Sequence, residues 1–360
     1  MISHPSNPAI DRSTVHHGTK IDDRSRMITI SASSAVVWLS GLIIILSLVA
    51  ASAGLFWQDG EGPTTVTTVH GETVELQGEG VYRYDSILKA GANKGADVVT
   101  LVVSIPLLLV ATYFFRHGSL RGAWLLTGTL VWFLYLYASL ALGTAYNNLF
   151  LLYVALFSAA LGAFVLAFGS IDLQALPAQV SSRLPRRGLA FFMIGSGVVT
   201  LGVWIEAPIS ALIKRQPPSV IEHSTTLFTH ALDLAIIVPA AILAGVLILR
   251  RAPLGYLMAF SLLILEVLLA PMIALQTAFQ LQAGVTFTTA EIVGPIGGFV
   301  VIALIAIWFL VALLRTIGVD ESALQQSGAT SYQCCEQGSD RDALRADGLV
   351  HQTRARLEEW

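Results

Sequence analysis

The sequence predicts an all-α integral membrane protein with eight transmembrane helices, for two reasons. Of its 360 residues, 54% are hydrophobic and 12% are charged, whereas a soluble domain carries about 25% charged residues. Its apolar residues also gather into eight runs, each long enough to cross a hydrocarbon core of about 30 Å. A net charge of −3 without a basic stripe gives no support to nucleic-acid binding.

The apolar runs divide the chain into a membrane domain and two tails. Residues 1–30 are polar and are expected to form a disordered cytoplasmic tail, and residues 31–316 hold the helices. We expect Ala35–Phe56 to be a retained helix, because it is too long for a signal-peptide core. The remaining runs are 96–115, 122–143, 148–169, 188–212, 231–249, 253–279 and 291–314.

Residues 317–360 are expected to form a cytoplasmic polar tail. It holds the chain's two cysteines, the adjacent Cys334 and Cys335. Two neighbouring thiols provide neither a disulfide framework nor a four-ligand zinc site. We therefore interpret them as free thiols in a solvated segment, with a redox or metal role as the alternative.

The segment 57–95, between the first two helices, is predicted to be external and to contain a β-hairpin. Val66, Val69, Val74 and Leu76 flank His70-Gly71 with threonines interleaved, the alternation typical of two short strands. Six acidic residues make the first part of the segment negative. The sequence predicts a small external cap, with a plain solvated loop as the alternative.

The distribution of basic residues predicts the orientation. Sixteen of the 21 Lys and Arg residues fall in the two tails and in alternate loops. The other five lie on the opposite side: Arg83, Lys89, Lys94, Lys214 and Arg215. Because cytoplasmic loops carry the excess of Lys and Arg, we expect a multi-pass protein of the plasma (cytoplasmic) membrane with both termini cytoplasmic.

Two stretches, 96–126 and 232–260, share an order of residues that suggests an internal repeat. Each has an Asp at the outer helix end, a Pro in its first third, an Arg at the inner turn and a Gly opening the next helix. The pairs are Asp97 with Asp233, Pro106 with Pro239, Arg116 with Arg250 and Gly122 with Gly255. Four helices per half would make the repeats parallel, related by an axis along the membrane normal. Unrelated membrane helices could share this order by chance.

Glu266 is the main candidate for a functional residue. Apolar residues flank it on both sides within the seventh run, so no helical neighbour can neutralise it and it must face protein or water. Without a cation, burial favours the protonated carboxyl, as in proton-carrying carboxylates. The alternative is a structural glutamic acid hydrogen-bonded to a neighbouring helix. Pro271 would free a carbonyl nearby.

A second group of candidates lies at the outer end of the bundle. His230 and Asp233 are three residues apart and share one helix face. Glu206, together with Glu222 and His223 of the intervening loop, could join them, and these side chains would suffice for a divalent metal. Their spacing matches no metal motif, so we predict that His230 caps the helix or pairs locally, that Asp233 is stabilised at the positive end of its helix, and that no metal is bound.

Asp97 completes the candidate set at the same outer depth. Asp97, Glu206, Asp233 and Glu291 are predicted on the outer side and Glu266 near the middle. Carboxylates gathered in one leaflet favour a cavity open to the outside. Lys94, three residues before Asp97, is expected to pair with it.

Three functional hypotheses remain open. The first is a secondary transporter or permeation protein for a small molecule or ion, using Glu266. The second is a non-catalytic sensor or assembly scaffold whose protein partners the sequence does not identify, and the third is a membrane-embedded enzyme. The sequence contains no phosphate-binding loop, dinucleotide fingerprint or hydrolase motif and no family signature that we recognise. It thus predicts no catalytic residue and no cofactor, and favours a non-enzymatic role in a lipid bilayer.

Overall fold

The computed structural model describes residues 18–173 and 184–316, with side chains placed for all of these except 18–33 and Ser219. Cys334, Cys335 and most of the predicted tails lie outside this part. The helices are α1 (Gly18–Phe56), α2 (Ile87–Arg116), α3 (Leu120–Gly143), α4 (Phe150–Gly169), α5 (Arg186–Lys214), α6 (Phe228–Leu249), α7 (Pro253–Gln282) and α8 (Thr289–Thr316). The first of them starts within the segment predicted as an N-terminal tail.

The prediction of eight apolar helices is confirmed for the described residues, where eight helices are long and apolar enough to cross a membrane. Their outer surface is apolar as well. Trp38, Leu151 and Leu212 are 81, 76 and 79% exposed, and many other large apolar side chains are exposed beside them. A water-soluble monomer rarely exposes such continuous apolar surface, so the fold fits a polytopic membrane protein.

The centre of the bundle is formed by α3 and α7. In their most apolar stretches, 61 and 56% of the residues of α3 and α7 are buried, compared with 22% in both α5 and α8. The two central helices pack against each other, with Gly128 facing Ile264 and the rings of Trp124 and Phe260 meeting edge to face at 5.3 Å. Around them, α2 contacts α1, α3 and α7, and α6 contacts α5 and α7.

The second helix begins at Ile87, earlier than the predicted 96, because its first turns are stabilised by packing rather than by hydrophobicity. Ser86 caps it by accepting a hydrogen bond from the Lys89 backbone N–H at 3.2 Å. Gly91 and Gly95 then lie directly against α7 at Gln280 and Gln276. The small side chains that lowered the apolar signal are the ones that allow this close approach.

The predicted hairpin is present as two antiparallel strands, β1 (Thr64–Thr67) and β2 (Thr73–Leu76), with Val66 opposite Val74. The turn between them contains His70-Gly71, as expected, and Gly71 has a φ of +83°. Two isolated bridges, Gly60 with Glu79 and Leu76 with Ser86, continue the pairing toward α2. We call the end of the bundle that bears this structure the hairpin end, and the other the arginine end.

Two helices, α2 and α6, are interrupted by a π-helical segment just before a proline. In α2 the segment is Thr100–Ser104, followed by Pro106; in α6 it is Asp233–Ile237, followed by Pro239. A proline cannot donate to the carbonyl four residues earlier and crowds it. Widening the preceding turn to bonds five residues apart, Ile105 to Thr100 and Val238 to Asp233, relieves this crowding.

The turns that follow these two helices have the same backbone arrangement. Ser119 N–H donates to the Phe114 carbonyl and Ala252 N–H to the Leu247 carbonyl, at 3.1 and 2.9 Å. The preceding residues, Gly118 and Arg251, have φ values of +74° and +60°, the left-handed conformation that ends many helices. The third residue of the next helix, Gly122 or Gly255, then packs onto the preceding helix.

We predict that Gly95→Ala destabilises the bundle. The added Cβ would lie 2.6 Å from the Gln276 nitrogen and 3.0 Å from its Cα, so α2 and α7 would have to separate, at a cost of about 1–3 kcal/mol. Gly41→Ala in α1 is the matched control, because nothing lies within 4 Å of its Cβ position. The measurement is thermal unfolding in detergent, and equal melting temperatures for the two variants would contradict the prediction.

Candidate functional site

Glu266 lies in the middle of α7 and reaches α5. Its Oε1 accepts a hydrogen bond from the Ser196 hydroxyl, while its Oε2 is buried and has no hydrogen-bond partner within the described part of the chain. The flanking apolar residues Leu265 and Leu268 are fully packed. As expected from the sequence, the carboxyl faces protein, and a single neutral hydroxyl holds it.

Asp233 occupies the first position of the π segment in α6 and is 7% exposed. The Tyr135 hydroxyl of α3 and the Trp204 indole N–H of α5 are the polar groups beside its carboxyl group. The ring of His230, one turn earlier, contacts the same indole at a tilt of 60°, with ring centroids 4.4 Å apart. The Trp204 ring therefore lies between α5 and α6 and contacts both predicted site residues.

Glu206 does not join this group. It is exposed, and because it follows Trp204 by two residues it points about 200° around α5 from the indole. Among the described side chains, no group of three His, Cys, Asp or Glu residues could hold a metal ion. Glu206, which the sequence grouped with His230 and Asp233, thus lies on the side of α5 away from the indole that contacts them.

Asp97 lies inside the bundle at the hairpin end and is 3% exposed. The Tyr82 hydroxyl, from the segment after the hairpin, donates to Asp97 Oδ2 at 2.7 Å. Gly54 of α1 packs so closely that a Cβ there would overlap both groups. The hydrogen-bond donor of Asp97 is thus Tyr82, a residue distant in sequence, rather than the expected Lys94.

The structure also assembles a charged cluster that the sequence did not predict. Lys89 Nζ lies 3.7 Å from Asp85 Oδ1, contacts the Gly143 carbonyl oxygen, and lies 5.0 Å from the Phe228 ring centroid. The Ser86 hydroxyl donates to Glu222 Oε2. We call Asp85, Ser86, Lys89 and Glu222 the hairpin-anchoring cluster, because they connect the hairpin segment to the α3–α4 and α5–α6 loops.

Burial controls the ionisation of this cluster. Asp85 is fully buried; its Oδ1 accepts from the Ala145 N–H at 2.9 Å, and its Oδ2 has no partner among the described residues. Desolvation raises the pKa of Asp85 to about 6, although Lys89 favours the charged form. Burial, with Lys89 nearby, lowers the pKa of His223, so this imidazole adds no charge at neutral pH. In the sequence, Asp85 resembled the other surface acids of the cap.

Glu291 forms a capping box with Thr288. Its Oε2 accepts from the Thr288 N–H at 2.8 Å, and its own N–H donates to the Thr288 hydroxyl at 3.3 Å. This is a local helix-starting motif at an exposed position. Glu291 therefore stays separate from the buried carboxylates with which the sequence grouped it.

A pocket of about 620 Å³ opens at the hairpin end, between the last turns of α5 and the loop leading to α6. Its lining residues are Pro208, Ala211, Leu212, Arg215, Gln216, Pro218, Ile221, Thr225, Thr226 and Leu227. None of the five predicted site residues, Glu266, Asp233, His230, Glu206 and Asp97, belongs to this lining.

Comparison with protein-family models, with curated proteins and with solved structures found no match. The class that the fold supports is a polytopic membrane protein.

We predict that Tyr82→Phe destabilises the fold by about 1–3 kcal/mol, because it leaves the buried Asp97 Oδ2 without its donor. Tyr84→Phe is the matched control, since Tyr84 is two residues away and 56% exposed. Thermal unfolding in detergent measures both. A melting temperature of the Tyr82 variant equal to that of the Tyr84 variant would show that the hydrogen bond does not stabilise the fold.

We predict that Asp85 makes the fold more stable as the pH falls. Its folded pKa of about 6 lies above the ordinary value of 3.8, so between these values the folded protein binds more protons than the unfolded chain. Stability from this residue therefore rises as pH drops from about 7 to about 4, by roughly 3 kcal/mol at full extent.

The measurement is the unfolding free energy of wild type and Asp85→Asn across this pH range. Asp59→Asn is the control, because Asp59 is 65% exposed in its 3.0 Å pair with Arg83. We expect the rise to be smaller in Asp85→Asn than in Asp59→Asn. Parallel profiles for wild type and Asp85→Asn would contradict the assignment.

Proposed function

We propose that this protein is a secondary transporter or permeation protein in which Glu266 binds the transported proton or cation. The observation that carries the proposal is the Glu266 carboxyl itself, buried in the middle of α7 with one oxygen unpartnered among the described residues. Asp85 also has an oxygen without a partner among these residues, but Lys89 lies 3.7 Å from its carboxyl group, whereas no ion pair to Glu266 is found within the described part of the chain. An open acceptor site at this depth is what a transported cation or proton requires.

The surroundings of Glu266 support reversible binding. Ser196 supplies a neutral hydroxyl, which cannot compensate a buried negative charge as a lysine or arginine would. The carboxyl is therefore most stable when a proton or a cation occupies its free oxygen. Loss of the bound species requires water or a conformational change to compensate the charge, and this couples binding to movement.

We further propose that the two halves, α1–α4 and α5–α8, are parallel repeats. One constant interval along the chain relates Thr100–Ser104 to Asp233–Ile237 and Pro106 to Pro239. The same interval relates the bonded pairs at the two following turns, Phe114 with Ser119 and Leu247 with Ala252. A chance resemblance of proline-containing helices would not be expected to preserve the segment, the proline and the turn at one interval.

This interval does not relate Asp97 to Asp233, which the sequence comparison had paired. Asp97 and Asp233 are separated by a longer stretch of chain than the two prolines are, so they are not equivalent positions. Asp97 lies about one turn before the π segment of α2, whereas Asp233 begins the π segment of α6. The proposed repeat therefore rests on backbone geometry and not on a shared carboxylate.

The π segments are the elements that we propose to rearrange. Their hydrogen bonds join residues five apart instead of four, and such segments occur frequently at functional sites. The segment in α6 carries Asp233 and contacts α5, the helix that supplies Ser196. A return of this segment to α-helical bonding would rotate one half of α6 relative to the other and change its packing beside Ser196.

The proposed setting is the plasma (cytoplasmic) membrane with both termini in the cytoplasm. The arginine end would then face the cytoplasm, in keeping with the excess of Lys and Arg there, and the hairpin end would face outward.

A sensor or assembly scaffold is the second candidate. It is favoured by the hairpin-anchoring cluster, which fixes the cap to two loops through Asp85, Lys89 and Glu222. A cap held this firmly could present a surface to a partner. This candidate requires Glu266 to be a sealed structural group, so one experiment separates the two.

That experiment is infrared spectroscopy of the purified protein in the carboxyl region. We expect a band that is absent from Glu266→Gln, shifts in D₂O and changes amplitude with bulk pH, because a carrier carboxyl must exchange with water. Ser196→Ala should shift the band, since it removes the hydrogen bond to Oε1. Ser261→Ala is the control: its hydroxyl bonds to Leu257 of its own helix, so the band should not move.

A Glu266 band insensitive to pH and D₂O in folded protein would contradict the transport proposal and favour the scaffold. The melting temperature of each variant, measured in parallel, separates a change in the carboxyl from a loss of fold.

A further inference from the structure

The pocket at the hairpin end has two chemically different parts. Its wall along α5 is apolar, formed by Pro208, Ala211 and Leu212, while Arg215, Gln216 and Thr226 provide polar groups. Its volume of about 620 Å³ lies within the range of small-molecule sites, about 300–1,000 Å³. An occupant must therefore combine an apolar portion with a polar one.

The charge of the pocket is positive. Arg215 is its one ionisable lining residue, and no carboxylate pairs with its guanidinium within residues 18–173 and 184–316. Two other basic residues at this end are paired: Arg83 with Asp59 and Lys89 with Asp85. A free guanidinium beside hydroxyl and amide groups fits a phosphate group, which it can contact with two parallel hydrogen bonds.

The backbone fixes Arg215 at the mouth of the pocket. Arg215 follows the last residue of α5 with a φ of +52°, and its N–H donates to the Ala211 carbonyl. The loop after it is held by bonds from Ile221 to Pro218 and from Ser224 to Ile221. Arg215 is thus held directly after the apolar last turns of α5.

The surface below the pocket is continuous with it and apolar. Ile209, Leu212 and Ile213 of α5 are 44, 79 and 77% exposed, and in a bilayer they would contact acyl chains. A ligand with its phosphate at Arg215 would direct its chains along these residues. A water-soluble phosphate ester would leave this surface unused.

We propose that this pocket binds the headgroup of an anionic phospholipid from the adjacent leaflet, with Arg215 contacting its phosphate. The proposal is independent of the role of Glu266, because neither Glu266 nor Ser196 lines the pocket.

The test is native mass spectrometry of the full-length protein in detergent, titrated with phosphatidylglycerol. We expect Arg215→Gln to weaken binding about tenfold. Lys214→Gln removes the same charge from the neighbouring residue, which does not line the pocket, and should change binding less than about twofold. Thr226→Trp, which fills the pocket and keeps Arg215, should also weaken binding about tenfold.

Phosphatidylcholine and inorganic phosphate serve as ligand controls, and both should bind more weakly than phosphatidylglycerol. Equal losses in Arg215→Gln and Lys214→Gln would mean general attraction to basic residues and would overturn the proposal. So would wild-type binding by Arg215→Gln or Thr226→Trp, or inorganic phosphate binding as tightly as the lipid. Arg215, Lys214 and Thr226 are exposed, so the variants should fold, and their melting temperatures without lipid check this.

Discussion

A carboxyl group inside an apolar bundle has no water to hydrate it, and its donors must come from other parts of the protein. Three buried acids of this chain meet this requirement in different ways. Asp97 accepts a hydrogen bond from the Tyr82 hydroxyl of the hairpin segment, and Glu266 accepts one from Ser196 of α5. Asp233 lies beside polar side chains of α3 and α5. Asp97 thereby joins the hairpin segment to α2, and Glu266 joins α7 to α5.

The three acids differ in how many of their carboxyl oxygens have a polar partner, and this difference supports the proposed role of Glu266. Asp233 has two polar side chains beside it, whereas Glu266 has one donor and an oxygen with no partner among the described residues. The proposed repeat sharpens the contrast. At the interval that relates the two prolines, the counterpart of Glu266 in α3 is Phe133, which is fully buried. One half thus has an aromatic core residue where the other has a carboxyl, as expected if a structural scaffold was duplicated and one copy acquired a site.

The hairpin end combines rigid and open features. The hairpin-anchoring cluster holds the cap against two loops, so the cap belongs to the folded bundle, and burial raises the pKa of Asp85 within it. Beside it, the last turns of α5 are exposed and form the pocket at Arg215. A fixed cap next to an accessible pocket would let the bundle contact membrane lipid without loosening its core.

The sequence by itself determined the eight helices and the hairpin, because a bilayer-length apolar run and a period of two are local patterns. It also identified Asp97, Asp233 and Glu266 as polar groups needing partners. Tertiary structure alone decided the partners: Tyr82, Trp204 and Ser196 carry no sequence signal for pairing. It also decided that Asp85 is buried while Glu206 is exposed, since burial depends on which helices pack together and not on the residues next in the chain.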